Sequence, residues 1–209
     1  GVDILDHQLA GVQWMSTRER YGGEDGIRGG IMADDMGMGK TLQMIGLVVT
    51  NVVSNTLIIV PPTLIPQWVD TFERFTGHSP LVYHGPAKKQ ITQEKIRASP
   101  IVLTSYGTMV ISTRSGEKNL LYSQEWNRII CDEAHHLRNR KSRIHYSIGQ
   151  LHSTATWLVT GTMVQNRISD VVALMDILGV NGGDPNSLVR KHAIRRTAAD
   201  VNSGGVYTG

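Results

Sequence analysis

Six short apolar runs, nearly unbroken, constrain the fold more than any other feature of this sequence: 29–33 (GGIMA), 56–60 (TLIIV), 80–83 (PLVY), 100–104 (PIVLT), 128–131 (RIIC) and 155–159 (ATWLV). A strand that is apolar on both faces must be covered on both faces, as in a parallel sheet held between helices. The intervening stretches supply those helices: 5–20, 40–53, 64–75, 87–97, 105–111, 140–151 and 167–179 suit helical structure. Such alternation predicts an α/β domain in three layers, α/β/α, around a mainly parallel, doubly wound sheet. The 209 residues suit one domain. Residues 1–180 form its core, and 181–209 a short tail with a helix over 187–200 and a frayed end, VNSGGVYTG. Loops are expected at Tyr21–Arg28, Thr113–Asn119 and Asn181–Asn186.

Composition removes several classes. With 40% hydrophobic and 19% charged residues the chain can bury a core and is not of the disordered type. The single Cys131 excludes an internal disulfide and a cysteine-based zinc cluster, and favours a reducing compartment. No apolar run approaches the roughly 20 residues of a membrane span, and no signal peptide opens the chain, so neither membrane nor secretion is expected. The first residue, Gly1, suggests a piece of something longer. Twenty-one Lys and Arg against 18 Asp and Glu give +3, which is compatible with nucleic acid without requiring it.

Asp34-Asp35-Met36-Gly37-Met38-Gly39-Lys40-Thr41 follows one expected strand and opens one expected helix. That is the setting of a phosphate-binding loop. Gly37 and Gly39 allow backbone N–H groups to turn inward around phosphate oxygens. The helix brings its positive end to the same anion. Lys40 would reach the β and γ phosphates and Thr41 would ligate Mg2+. Asp34 stands where the strict pattern has glycine, so a glycine-rich turn with a surface lysine is the plainer alternative.

Arg128-Ile129-Ile130-Cys131-Asp132-Glu133-Ala134-His135 is an apolar strand ending in two acids. Parallel sheets present ligand groups at the carboxyl ends of strands, so this box can share a crevice with the loop. Asp132 would hold Mg2+, and Glu133 would orient or deprotonate an attacking water. A solvated acidic turn is the alternative for the box alone. Cys131 reads as a buried core residue, and His135 and His136 lack metal-ligand spacing.

In order along the chain, several strings resemble the first motor lobe of the SWI/SNF-type branch of superfamily-two helicases, the chromatin-remodeller-like DNA translocases. The opening Leu5, His7-Gln8, Gly11-Val12 and Trp14-Met15 is similar to that branch's first element, and DDMGMGKT to its DEMGLGKT, including the acid at Asp34. Leu57–Trp68 (LIIVPPTLIPQW), Leu103-Thr104-Ser105-Tyr106, DEAHHLRN over 132–139, Leu158–Asn166 (LVTGTMVQN), and Ile194–Thr197 with Asp200-Val201 continue the match almost to the end. Asp35 for Glu, Met163 for Pro, Val164 for Leu and Arg138 for Lys depart from the pattern and suggest a divergent member.

The resemblance implies a RecA-like domain, lobe one over 1–180, that uses ATP and Mg2+ and acts on double-stranded DNA. His7, Gln8, Asp34, Asp35, Met36, Gly37, Met38, Gly39, Lys40 and Thr41 would bind nucleotide, with Gln8 reading adenine. Lys40, Asp132 and Glu133 would be catalytic, with Thr41 and Asp132 holding the metal. His135, Thr160, Gly161, Thr162, Gln165 and Asn166 would couple nucleotide state to DNA grip; a capped strand-to-helix turn is the plainer reading of 160–166. Pro62, Thr63, Gln67, Thr104, Ser105 and Tyr106 would contact DNA without reading sequence. Trp68 reads better as core packing. The basic runs Arg138–Arg143 and Arg190-Lys191 with Arg195-Arg196 could track a duplex or be solvated faces. The second RecA-like lobe, absent from this chain, would be a partner and supply an arginine finger worth about 10³–10⁵ in rate. DNA-bound protein is a further expected partner. The location expected is nuclear in a eukaryote and cytoplasmic otherwise. A strand-separating helicase and a non-catalytic docking lobe are the alternatives. A small-molecule kinase would leave DEAH and TGTMVQN unexplained.

Overall fold

A computed structural model describes residues 4–111, 119–161 and 168–202. Among them, seven strands form one wholly parallel sheet: β1 (Gly29–Met32), β2 (Thr56–Val60), β3 (Leu81–Tyr83), β4 (Ile101–Ser105), β5 (Trp126–Cys131), β6 (Ser153–Val159) and β7 (Ala193–Ile194). The order across the sheet is β3-β4-β2-β5-β6-β1-β7. The helices are α1 (Asp6–Tyr21), α2 (Lys40–Thr50), α3 (Ile65–Thr76), α4 (Gln93–Ala98), α5 (Tyr106–Met109), α6 (Arg143–Gly149), α7 (Ile168–Ile177), α8 (Pro185–His192) and α9 (Ala198–Asn202).

The period of two along each strand divides the core into two layers. Ile31, Leu57, Ile59, Val102, Ile129, Cys131 and Leu158 pack with Ile148 of α6 and Leu174 and Met175 of α7. Met32, Ile58, Val60, Leu103, Ile130, Trp157 and Val159 pack with Met15 of α1, Met44 and Leu47 of α2, and Trp68 and Phe72 of α3. Central strands are therefore buried on both faces, as their unbroken apolar runs require.

Two differences from the sequence reading have physical causes. The expected helix over 187–200 is broken: α8 stops at His192, and Ala193–Ile194 pairs with Ile31–Met32 at the free edge of β1. Two residues carry no periodic signal, and the demand comes from the sheet edge. The expected helix over 87–97 is a 3-10 turn at Pro86–Gln90 followed by α4, whose start is capped by the Thr92 hydroxyl accepting from Lys95 N. Of the expected loop Thr113–Asn119, residues 113–118 lie outside the described residues, as does the end from 203.

At the amino edge of the sheet, Arg128 is fully buried and pairs through Nε and Nη2 with both oxygens of Glu19, at 2.6 and 2.5 Å. Glu19 also accepts from Trp157 Nε1 at 2.8 Å and Asn51 Nδ2 at 2.6 Å. The network ties the end of α1 to β5, β6 and the end of α2.

Candidate nucleotide-binding site

The parallel register brings several strand ends out level. Cys131 pairs with Leu158, and Val159 with Met32. The ladder continues past the strands through Asp132 N to Ile59 O (2.9 Å), Thr160 N to Met32 O (2.9 Å) and Ala33 N to Ile194 O (2.8 Å). The acidic box, the Thr160–Gly161 turn and the loop 34–39 thus leave three adjacent strands, β5, β6 and β1, at one edge.

Gly37 and Gly39 hold φ of 82° and 74°, which favours glycine. At Gly39 a side chain is excluded twice over, because a Cβ would fall 2.3 Å from Gln8 Nε2. Lys40 opens α2, and its Nζ donates to the carbonyls of Asp34 (2.9 Å) and Asp35 (3.0 Å). An ammonium held by two neutral carbonyls at a helix start is ready to be recruited by an anion. Gly161 lies against it: a Cβ there would sit 3.2 Å from Lys40 Nζ. Thr41 is half-buried in the first turn of α2, Met36 is exposed and Met38 is buried.

Asp34 has a partner that its motif does not name. Its carboxylate, fully buried, is held by Arg196: Nε and the backbone N reach Oδ1 at 3.0 Å each, and Nη2 pairs with Oδ2. Of Asp34, the backbone carbonyl is the part that Lys40 meets. Arg196 also donates to His7 O and to Gln43 Oε1 (2.7 Å), and Asp35 N donates to Arg196 O (3.0 Å). Gln43 in turn donates from Nε2 to Asp34 Oδ2 and Met38 O, both at 3.2 Å. Gly11 makes room for this cluster; a Cβ there would lie 2.0 Å from Gln43 Oε1 and 2.7 Å from Arg196 Nη2. Arg196 is therefore no duplex-tracking residue, since burial and pairing remove it from the surface. Neither it nor Gln43 was legible as a site residue, although both stand within matched strings or next to them.

His7 and Gln8 are buried and bind the loop itself: His7 Nε2 meets Met38 O at 3.2 Å and Gln8 Nε2 donates to it at 3.4 Å. Gln8 Oε1 accepts from Leu5 N at 3.1 Å.

In the acidic box, Asp132 Oδ2 accepts from Trp68 Nε1 at 2.8 Å and Oδ1 from Glu133 N at 2.9 Å. Burial pushes the Asp132 carboxyl above its ordinary range, against the pull of those two donors and of Lys40. Tyr106 OH donates to Asp132 O at 2.7 Å, and burial holds that phenol well above its usual value. Glu133 has φ 51°, the one positive value outside glycine among the described residues, in a conformation that costs about 1–3 kcal/mol elsewhere in proteins. His135 Nδ1 lies 3.1 Å from Glu133 Oε2, and its ring stacks on His136 at 4.6 Å. Cys131 is a buried core residue whose thiol is pushed up to about 12 by burial and by Asp132.

Thr160 is fully buried at the end of β6, whereas Thr162, Gln165 and Asn166 lie outside the described residues. Pro62, Thr63 and Gln67 are exposed at the junction of β2 and α3. Thr104, Ser105 and Tyr106 are buried, and their hydroxyls are committed inside the fold. Thr104 donates to Tyr83 O (2.7 Å), Ser105 bonds His84 Nδ1 (2.9 Å) and caps α5 through Thr108 N, and Tyr106 serves Asp132. The expected DNA contact at 104–106 would therefore fall to backbone N–H groups at the start of α5. In the other basic run, Arg140 pairs with Asp176 and Arg143 Nη2 donates to Ile111 O at 3.0 Å.

Residues 7–196 match the SNF2-related domain family. An uncharacterised ATP-dependent helicase of Schizosaccharomyces pombe is 33% identical over 202 residues, which cover 85% of this chain and 19% of that protein. A probable global transactivator of Orgyia pseudotsugata multicapsid polyhedrosis virus is 30% identical over 224 residues, covering 95% of this chain and 43% of that one. The fold is also similar to the Sulfolobus solfataricus SWI2/SNF2 ATPase core solved in complex with double-stranded DNA, with a TM-score of 0.78 and 24% identity over 94% of this chain and 45% of that chain. The chain thus spans less than half the length of these relatives.

Proposed function

Because the chain belongs to the SNF2-related domain family, we propose that it is the ATP-binding first lobe of a translocase or remodelling ATPase that works on double-stranded DNA. The observation that carries this reading is the Lys40 ammonium, resting on the carbonyls of Asp34 and Asp35 at the start of α2 and within electrostatic reach of the buried Asp132. On nucleotide binding Lys40 exchanges those carbonyls for phosphate oxygens, and the N–H groups about Gly37 and Gly39 complete the cradle. Among the described residues no three His, Cys, Asp or Glu side chains are grouped to hold a metal. In this reading Mg2+ would be held by Thr41 and Asp132 together with nucleotide oxygens and water. Mg2+ so held would neutralise charge developing on the phosphates. Trp68 and the Glu133 N–H fix the plane of the Asp132 carboxylate. The left-handed turn at Glu133 carries its carboxylate off the strand line, where it can orient water under the influence of His135.

In this reading the exposed junction at Pro62, Thr63 and Gln67 meets the DNA backbone, and a second lobe in the longer protein completes the ATP pocket. Nuclear location in a eukaryotic host follows from the same reading. Calorimetry with Mg2+-ATP should give weak but measurable binding to this chain, lost in Lys40→Ala. Hydrolysis should be slow, lacking an arginine finger worth about 10³–10⁵ in rate. Undetectable binding even with the second lobe restored would instead favour a docking lobe. A strand-displacement assay on the longer protein separates translocation, which leaves the duplex intact, from unwinding.

A further inference from the structure

Two side chains that the sequence assigns elsewhere converge on one acid. Trp68 gives its indole N–H to Asp132 Oδ2 at 2.8 Å, and Tyr106 gives its phenol hydrogen to Asp132 O at 2.7 Å. They arrive from the two junctions β2–α3 and β4–α5, on the two strands that follow β5 across the sheet. Trp68 is one residue after the exposed Gln67 and in the same helical start as Pro62 and Thr63.

The geometry makes both bonds sensitive to the junctions. Indole has a single donor, fixed in the ring plane. Trp68 itself is held against Phe72, with ring centroids 6.2 Å apart, so its N–H moves with α3. Oδ1 of the same carboxylate is tied to Glu133 N. A small movement of α3 therefore turns the carboxylate about the fixed oxygen instead of translating it. The Tyr106 bond holds the peptide carbonyl between Asp132 and Glu133, and so fixes the direction in which the strained Glu133 leaves the strand. Trp68 is 1% exposed and Tyr106 6%, so neither can serve as a duplex contact itself. What they transmit must come through the backbone of their junctions.

We propose that Trp68 and Tyr106 are positioning residues that make the metal-holding geometry of Asp132 depend on whether the edge at Pro62, Thr63 and Gln67 carries DNA. This rests on the function proposed above, with Asp132 holding Mg2+ and that edge meeting the duplex. Coupling between two sites is a reciprocal free energy, so it is measurable as a change in nucleotide affinity when duplex is added.

The test titrates a fluorescent ATP analogue against the intact chain in EDTA, in Mg2+, and in Mg2+ with a short DNA duplex. Trp68→Phe and Tyr106→Phe remove one donor each and keep an aromatic ring. In the wild-type chain duplex DNA should shift Mg2+-nucleotide affinity by about fivefold or more, the ordinary lower range of coupling. Trp68→Phe should bring that ratio close to one and raise the Mg2+ concentration needed for half-saturation, with Tyr106→Phe moving both in the same direction. A loss of affinity equal in EDTA and in Mg2+ would mark a packing defect and overturn the inference, as would unchanged coupling and unchanged Mg2+ dependence in both variants. The Tyr106→Phe arm decides alone if Trp68→Phe does not fold. Lys40→Ala controls the underlying reading. If wild type responds to neither Mg2+ nor duplex and Lys40→Ala changes nothing, that reading falls and takes the inference with it. If only the two aromatic variants behave as wild type, the reading stands and the inference alone is lost.

Discussion

Among the described residues two arginine–carboxylate pairs are buried, one at each edge of the sheet, and they have nearly the same chemistry. Arg128 holds Glu19 from 109 residues away, and Arg196 holds Asp34 from 162 residues away, each through two nitrogens on two oxygens. Each cluster also collects side-chain amides or an indole: Asn51 and Trp157 at the amino edge, Gln43 at the carboxyl edge. What differs is the backbone each one fixes. Glu19 belongs to the last turns of α1, far from the strand ends where ligands bind. Asp34 is the first residue of the loop that carries Lys40. A buried ion pair is thus no mark of function in itself; its position on a parallel sheet decides what is lost with it.

The comparison can be broken most directly by cutting each pair. Arg196→Ala and Arg128→Ala should each cost about 3–5 kcal/mol in urea unfolding, because each strands a buried carboxylate. Only Arg196→Ala should also weaken nucleotide binding by the folded protein, by about tenfold or more, equivalent to at least 1.4 kcal/mol. Equal losses of affinity in the two variants would erase the distinction. A smaller effect is expected from Gly11→Ala, whose new methyl must displace Gln43 Oε1 and the Arg196 guanidinium. It should cost about 1–3 kcal/mol and reduce nucleotide affinity in proportion to the loosening of Asp34. The smallest effect concerns pH at the amino edge. His192 is buried, its Nδ1 faces Arg18 Nη2 at 3.2 Å, and its Nε2 lies 3.0 Å from Asp25. Arginine can only donate, so Nδ1 must accept and the ring must be neutral. Burial, helped by Arg18 and Lys191 and opposed by Asp25, holds its pKa below the ordinary value. The unfolded chain then binds the proton more readily than the folded one, so stability falls as pH drops below about 6.5. In His192→Gln that part of the acid slope should be missing, with nucleotide affinity at neutral pH retained.

The central strands were legible because full burial on two faces leaves a run such as Ile58-Ile59-Val60 with no polar residue to confuse it. Strand β7 was not, because two residues at an edge are specified by the partner strand and not by their own pattern. The loop from Asp34 to Thr41 could be read from glycine spacing and its strand–helix setting. What stayed hidden was the long-range pairing that holds it. Arg196 in a run with Arg190, Lys191 and Arg195 has the composition of a surface, and only the fold reveals that one member turns inward to Asp34. Trp68 illustrates the same limit from the other side. Reading it as core packing is right for its ring and silent on its N–H, since a sequence gives the identity of a donor and not its aim.

The strap formed by residues 193–196 along β1 and the loop has a consequence for how such a chain comes into being. A ribosome delivers Asp34, Lys40 and the acidic box well before Ala193. Until Arg196 emerges, the outer edge of β1 is open and the Asp34 carboxylate has no guanidinium to enclose it. The loop 34–39, Lys40 and the acidic box are then already synthesised, yet the loop lacks its anchor. If the proposed function holds, a nascent chain stopped anywhere before residue 193 should resist proteolysis no better with ATP present than without it, and protection by nucleotide should set in as residues 193–196 clear the exit tunnel.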